Sequence, residues 1–148
     1  MTKSELCEKY GLNPKLTNVD GEGHFWLHKQ SGKVCITFEG VEIMIDKEGI
    51  KFEVPKENYS NNPNEVALLV QGYMTKKQED GWDVDDFEHQ STWSFGEARK
   101  ENCVGNYFWA MAEKRGKARV CLKLLGIYGG VSGFYSDVEM DITNDYEL

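Results

Sequence analysis

The sequence predicts an α+β fold: an antiparallel β-meander with a long basic helix packed on one face and a short helix at the N-terminus. Three observations predict it. Two-residue alternation of apolar and polar side chains runs through much of the first half of the chain. Turn residues of hairpin type separate the alternating runs. A proline-free segment rich in Ala, Leu, Met, Lys and Arg then follows. At 148 residues the chain is expected to form one domain, 1–148, large enough to bury a hydrophobic core.

Residues 1–12 read as a short amphipathic helix that Asn13-Pro14 ends, because the residue before a proline is pushed out of the helical region. Residues 25–95 read as the sheet. KVCITFEG sets Val34, Ile36 and Phe38 against Cys35, Thr37 and Glu39. VEIMID repeats the alternation with Val41, Ile43 and Ile45, and IKFEV does so with Ile50, Phe52 and Val54. QSGK and DKEG between them read as hairpin turns. A polar loop over 55–64 precedes another strand, EVALLVQGYMT. The acidic KKQEDGWDVDDFEHQ then leads to STWSF as its antiparallel return. Residues 106–126 form the basic helix, and 135–148 an acidic tail.

The net charge is −8, which excludes a protein that coats nucleic acid with its whole surface. A local basic groove stays compatible with it, since screening confines charges to about 10 Å. No apolar run reaches the roughly 20 residues that span a bilayer. The N-terminus lacks the pattern of a secretion signal. A cytoplasmic location is therefore expected (the host cytoplasm for a phage-encoded chain), with no membrane partner. Cys7, Cys35, Cys103 and Cys121 form no CxxC pair and are expected to stay reduced.

Charge is segregated along the chain. Residues 98–127 carry seven basic and two acidic side chains, a net of +5, and the remainder is therefore −13. At about 100° per residue, Arg115, Arg119 and Lys123 fall on one strip of the helix, spaced i, i+4, i+8. Met111, Ala118, Leu122 and Leu125 flank it on one side, and Trp109, Val120 and Leu124 on the other, so the strip is expected to floor a groove. Lys114 and Lys117 point elsewhere. Like charges at this spacing repel, and the strip holds no acidic partner of its own. Gly116 beside it costs about 1 kcal/mol relative to alanine in a helix interior, but it lets another backbone approach closely. A row of arginines and lysines suits the repeating phosphates of a nucleic acid. Trp93, Phe95, Tyr107, Phe108 and Trp109 are nearby aromatics that can stack on bases.

The run FGEARKENCVGNYFWAMAEKRGKARVCLKLLGIYG resembles the core of phage single-strand annealing proteins of the Erf kind. More loosely, it is similar to the eukaryotic annealing mediator of the radiation-sensitivity group. The shared pattern is a sheet followed by a long helix that carries a basic residue, three spacers, an arginine, and a glycine seven residues later. Here these are Arg115, Arg119 and Gly126. The stretches Ala110 to Arg115, Leu122 to Ile127, and Tyr135-Ser136-Asp137 match further parts of the pattern. The similarity is good over residues 93–141 and architectural over 25–75.

The resemblance implies single-stranded DNA binding and ATP-independent annealing of complementary strands, in recombination and repair, by a homo-oligomeric ring or filament. It implies no catalytic residue and no cofactor. Arg115 and Arg119 become phosphate ligands, with Lys123 on the same strip. Lys114 and Lys117 are secondary, and Arg99 and Lys100 close the groove from above. A single-strand binding protein is an implied partner, and the acidic DITNDYEL is a segment such a protein could contact. The alternative is a non-enzymatic adaptor or oligomerisation protein whose basic helix docks an acidic partner.

Other chemistry finds little support. His24 and His28 are four apart in strand-like sequence, a separation of about 13 Å that suits no shared metal. Asp83, Asp85, Asp86 and Glu88 lack the order of a calcium loop. Asp46, Glu53 and Lys56 fit no nuclease spacing. GxSxG, P-loop and GxGxxG patterns do not occur, and Cys103 and Cys121 read as packing residues. The chain is expected to be neither an enzyme nor a metalloprotein.

Overall fold

A computed structural model describes residues 1–55, 57–77, 87–103, 105 and 107–140. Lys56, the loop residues Asp83, Asp85 and Asp86, the side chain of Glu88, and tail residues 141–148 lie outside these. Helix α1 (Lys3–Tyr10) starts at Thr2, whose hydroxyl accepts the Glu5 N–H, and ends at Gly11. It buries Leu6 and Tyr10. The short α2 (Thr17–Asp20) leads into a hairpin of β1 (Phe25–His28) and β2 (Lys33–Ile36), with Phe25 opposite Ile36 and His28 opposite Lys33.

The next segment corrects the sequence reading. VEIMID is not a strand: residues Phe38–Glu48 form helix α3. Thr37 caps its start by accepting the Gly40 N–H. Gly49, at φ 65°, closes its end, and the Ile50 N–H returns to the carbonyl of Ile45. The DKEG signal is thus a helix C-terminus rather than a hairpin turn. Helical spacing buries Gly40, Val41 and Met44 together, which an extended segment could not do.

Strands β3 (Lys51–Phe52), β4 (Glu65–Lys77) and β5 (Phe87–Arg99) form an antiparallel sheet in the order β3-β4-β5. Residues 25–95 are therefore two sheets separated by α3, not one continuous meander. The pairing of β4 with β5 runs from Glu65↔Arg99 to Lys77↔Phe87. Val66, Leu68, Val70 and Met74 are buried on one face, with Ser94 and Ala98 opposite. Tyr73, Trp93 and Phe95 alternate onto the other face and stay exposed.

Helix α4 (Phe108–Leu124) packs against the covered face. Its buried residues, Ala112, Arg115, Gly116, Ala118, Val120, Cys121, Leu122 and Leu124, are spread around most of its circumference. The helix is a middle layer: the β4–β5 hairpin lies on one side, and the core of Leu6, Phe25, Ile36, Val41 and Met44 lies on the other. Gly116 provides the close approach expected of it. A Cβ on Gly96 would stand 1.9 Å from the carbonyl oxygen of Ala112 and 2.6 Å from the nitrogen of Gly116. The two glycines thus set helix backbone against strand backbone. No disulfide joins Cys7, Cys35, Cys103 or Cys121, and no helix among the described residues is long and apolar enough to cross a membrane.

Candidate nucleic-acid interface

The strip Arg115–Arg119–Lys123 exists, but it faces protein for most of its length. Sheet order leaves β5 as an edge strand, whose odd-numbered residues point their main-chain groups away from β4. Arg115 is 4% exposed. Its Nη1 donates to the carbonyl of Glu97 at 2.8 Å and to Asn102 Oδ1 at 3.0 Å, and its Nη2 donates to the Asn102 carbonyl at 2.6 Å. Its Nε donates to the carbonyl of Val138. As a phosphate ligand Arg115 is therefore corrected: it is an internal brace between α4, β5 and the 3-10 turn Asp137–Glu139.

Arg119 is half committed in the same way. It donates from Nη1 to the carbonyl of Phe95 and forms a two-pronged pair with Glu97 at 2.9 and 3.1 Å. Its Nε bonds Glu139 Oε1. Burial works against its charge, but the Glu97 hydrogen bond and the Glu139 carboxylate outweigh burial and hold the guanidinium protonated. The Arg119 hydrogen bond also holds the Glu97 carboxyl below the usual range. Burial pushes Glu139 up despite its arginine. Its Oε2 is buried without a hydrogen-bond partner. Together the two arginines cap the carbonyls of Phe95 and Glu97, and Asn102 Oδ1 accepts the Arg99 N–H. That blocks the C-terminal half of an edge open to stray pairing.

The other basic residues divide. Lys114 lies over the Phe38 ring at 5.6 Å, and Lys117 pairs with Glu113 at 2.6 Å and lies over Phe52. Both therefore point away from the strip, as the projection has it. Lys100 is exposed at the end of β5. Arg99 is exposed too, and it borders a hollow of about 170 Å³ with Arg115, Arg119 and Glu139.

One end of the strip does reach solvent. Helix α4 stops at Gly126, whose φ of 71° ends the helix while the Ile127 N–H bonds back to Leu122. The chain then returns beside the β1–β2 hairpin, with the Ile36 N–H bonded to the Tyr135 carbonyl. This path sets four side chains in a row. Lys123 Nζ lies 5.6 Å from the Tyr128 ring, Tyr128 meets Tyr135 edge-on at 5.4 Å, and Lys33 Nζ lies 5.2 Å from the Tyr135 ring. Lys123, whose Nζ donates to Ser94 Oγ at 3.3 Å, stands beyond Tyr128 at the end of the row. Lys33, Tyr128 and Tyr135 line a cleft of about 350 Å³ with His28, Ser31 and Arg119. Its electrostatics follow from its depth. Glu139, at the base, is paired with Arg119 and accepts the Tyr128 hydroxyl at 3.2 Å, while Lys33 at the rim is exposed. Burial, then the Glu139 charge, push the Tyr128 hydroxyl up to about 12, so it stays a neutral donor.

No family description, curated protein or solved structure matches the chain. The site therefore rests on its own geometry. Sequence reasoning brought Lys123 and Arg119 here and singled out Tyr135 within a motif. It did not bring Lys33, His28 or Tyr128. Lys33 closes a turn that reads only as hairpin chemistry, and the return of 127–136 onto β2 has no local signal beyond its glycines. His24 Nδ1 accepts the Asn13 N–H, and His28 Nδ1 lies 2.6 Å from Ser31 Oγ. Asp46 lies on α3 and Glu53 beside β4, and Lys56 falls outside the described residues.

Proposed function

We propose that the protein binds single-stranded DNA along this cleft and anneals complementary strands without a nucleotide cofactor, as a homo-oligomeric ring or filament. One observation carries the reading: the Lys123–Tyr128–Tyr135–Lys33 row, in which two lysines flank a pair of tyrosines in an otherwise acidic chain. Lysines meet phosphates and tyrosine rings accept unstacked bases, a combination that suits a single strand and tolerates any sequence. Annealing, as opposed to binding alone, is supported by the resemblance of residues 93–141 to phage annealing proteins. The same resemblance supports a cytoplasmic setting and a single-strand binding protein as a partner.

The adaptor reading, with the basic helix docking an acidic protein, is weakened by the arginine contacts. The acidic groups that the helix seeks, Glu97 and Glu139, come from its own chain.

The test is binding of a labelled oligothymidylate, followed by annealing of complementary oligonucleotides without ATP and electron microscopy of the products. Lys33→Ala with Lys123→Ala should weaken binding to all sequences alike while the fold persists. Unchanged binding by the double variant would remove the proposal.

A further inference from the structure

The uncovered face of the β3-β4-β5 sheet is a second surface, independent of the cleft. Alternation along β4 and β5 places Leu69, Tyr73, Trp93 and Phe95 there, and the segment after β3 adds Val54 and Tyr59. Trp93 is 55% exposed and Tyr59 53%. Trp93 and Tyr59 each meet Phe95 edge-on, at 5.7 and 5.5 Å, so none of these contacts is a face-to-face stack. Clustered exposed aromatics of this kind mark a binding surface rather than ordinary surface scatter.

The chemistry of the surface is legible in its charges. A groove of about 540 Å³ runs between β4, β5 and residues 53–55, 57 and 59, and Glu53, Glu57, Tyr59, Tyr73 and Trp93 line it. Its charged lining residues among those described are Glu53 and Glu57, and Lys51 stands opposite Tyr73 on the adjoining β3. The Glu57 carboxylate stands close enough to Tyr59 to push its hydroxyl up. Aromatic faces and carboxylates together repel phosphate and attract a cation, since ring quadrupoles and anions favour the same sign. The volume fits a long side chain with part of its backbone, well beyond a single ion.

We propose that this groove docks a basic segment of a partner protein, seating a lysine or arginine side chain between Trp93 and Tyr59 with Glu53 and Glu57 holding its charge. The row from Lys33 to Lys123 takes no part.

The experiment uses the full chain and a fluorescein-labelled peptide of alternating arginine and glycine, read by anisotropy at physiological salt. A peptide with citrulline in place of arginine keeps the shape and removes the charge. The arginine peptide should bind at least about tenfold more tightly than its citrulline counterpart. Trp93→Ala should abolish that preference. Glu53→Gln with Glu57→Gln, which leaves the aromatics in place, should reduce it, and Lys33→Ala with Lys123→Ala should leave it intact. Equal binding of both peptides overturns the proposal, as does undiminished arginine-peptide binding by Trp93→Ala. So would oligothymidylate affinity lost through Trp93→Ala, which gives the face to nucleic acid. Disassembly of an oligomer by Trp93→Ala with peptide binding unaltered gives it to a second copy.

Discussion

Arg115, in the middle of α4, donates from Nη1 to the main-chain carbonyl of Glu97 on the outer edge of β5, at 2.8 Å. A helix side chain thereby completes the hydrogen bonding of a sheet edge, and a charge that composition assigns to a ligand is used for the fold. Removing it would leave the carbonyls of Glu97, Asn102 and Val138 without their donor in a buried setting. Arg115→Ala should therefore lower stability by about 3 to 5 kcal/mol, measured by urea unfolding. Arg115→Lys should recover little, because one ammonium cannot reproduce a fork that reaches three carbonyls. A variant with native stability and selectively lost DNA affinity would contradict this role.

The Gly96–Gly116 contact gives a second prediction, with an asymmetry. A Cβ on Gly116 would stand 2.3 Å from Val70 Cγ2, a side-chain atom, whereas one on Gly96 meets the Ala112 carbonyl oxygen at 1.9 Å. Gly116→Ala gains about 1 kcal/mol of helix propensity and pays an overpacking cost of about 1 to 3 kcal/mol. Gly96→Ala has no such gain and must displace backbone. Thermal unfolding should thus rank Gly96→Ala well below Gly116→Ala. Val70→Ala should partly rescue the Gly116 variant and do nothing for the Gly96 variant.

These contacts also show what the sequence makes legible. Helix α4 is readable because propensity and period agree along it, and Gly116 is readable because an interior glycine needs a reason. The partners of the strip are not. Glu97 is 22 residues from Arg119, and Glu139 is 20 residues away, so an angular projection of one helix gives direction without saying what stands opposite. α3 was hidden differently. Val41, Ile43 and Ile45 alternate as a strand would, and the deciding signals are the Thr37 cap and the Gly49 stop at its ends. The cleft needs two distant pieces, Lys33 and Tyr135, that only tertiary structure joins.

Acid should act on the Arg119 network through Glu97. The Arg119 hydrogen bond lowers its pKa from the ordinary 4.5, and burial opposes this only in part. A carboxyl depressed in the folded state contributes stability that is present above its ordinary value and lost as pH falls through its folded value. Glu139, raised by burial, works in the opposite direction and in the window above 4.5. Melting temperature should therefore fall as pH drops from about 4.5 to about 3, and Glu97→Gln should make that fall shallower. An identical acid limb in the variant would mean that Glu97 is not linked to folding.

Salt dependence separates the cleft from a general attraction to basic residues. Each phosphate neutralised on a single strand contributes about −0.7 to the slope of log affinity against log salt. Lys33 lines the cleft and Lys123 ends the row beside it, both exposed, whereas Arg115 is buried and Arg119 is paired with two carboxylates. Removing Lys33 or Lys123 should therefore make the slope shallower by about 0.7 each. Lys114→Ala, on the far side of α4 over Phe38, should leave it unchanged. Tyr135→Phe keeps the stacking surface and should preserve both slope and affinity. Tyr135→Ala should lower affinity with no change in slope, because it removes a base contact and no charge. Oligothymidylate titrations at four or more salt concentrations measure all of these together, and a slope change for Lys114→Ala equal to that for Lys33→Ala would place the strand elsewhere.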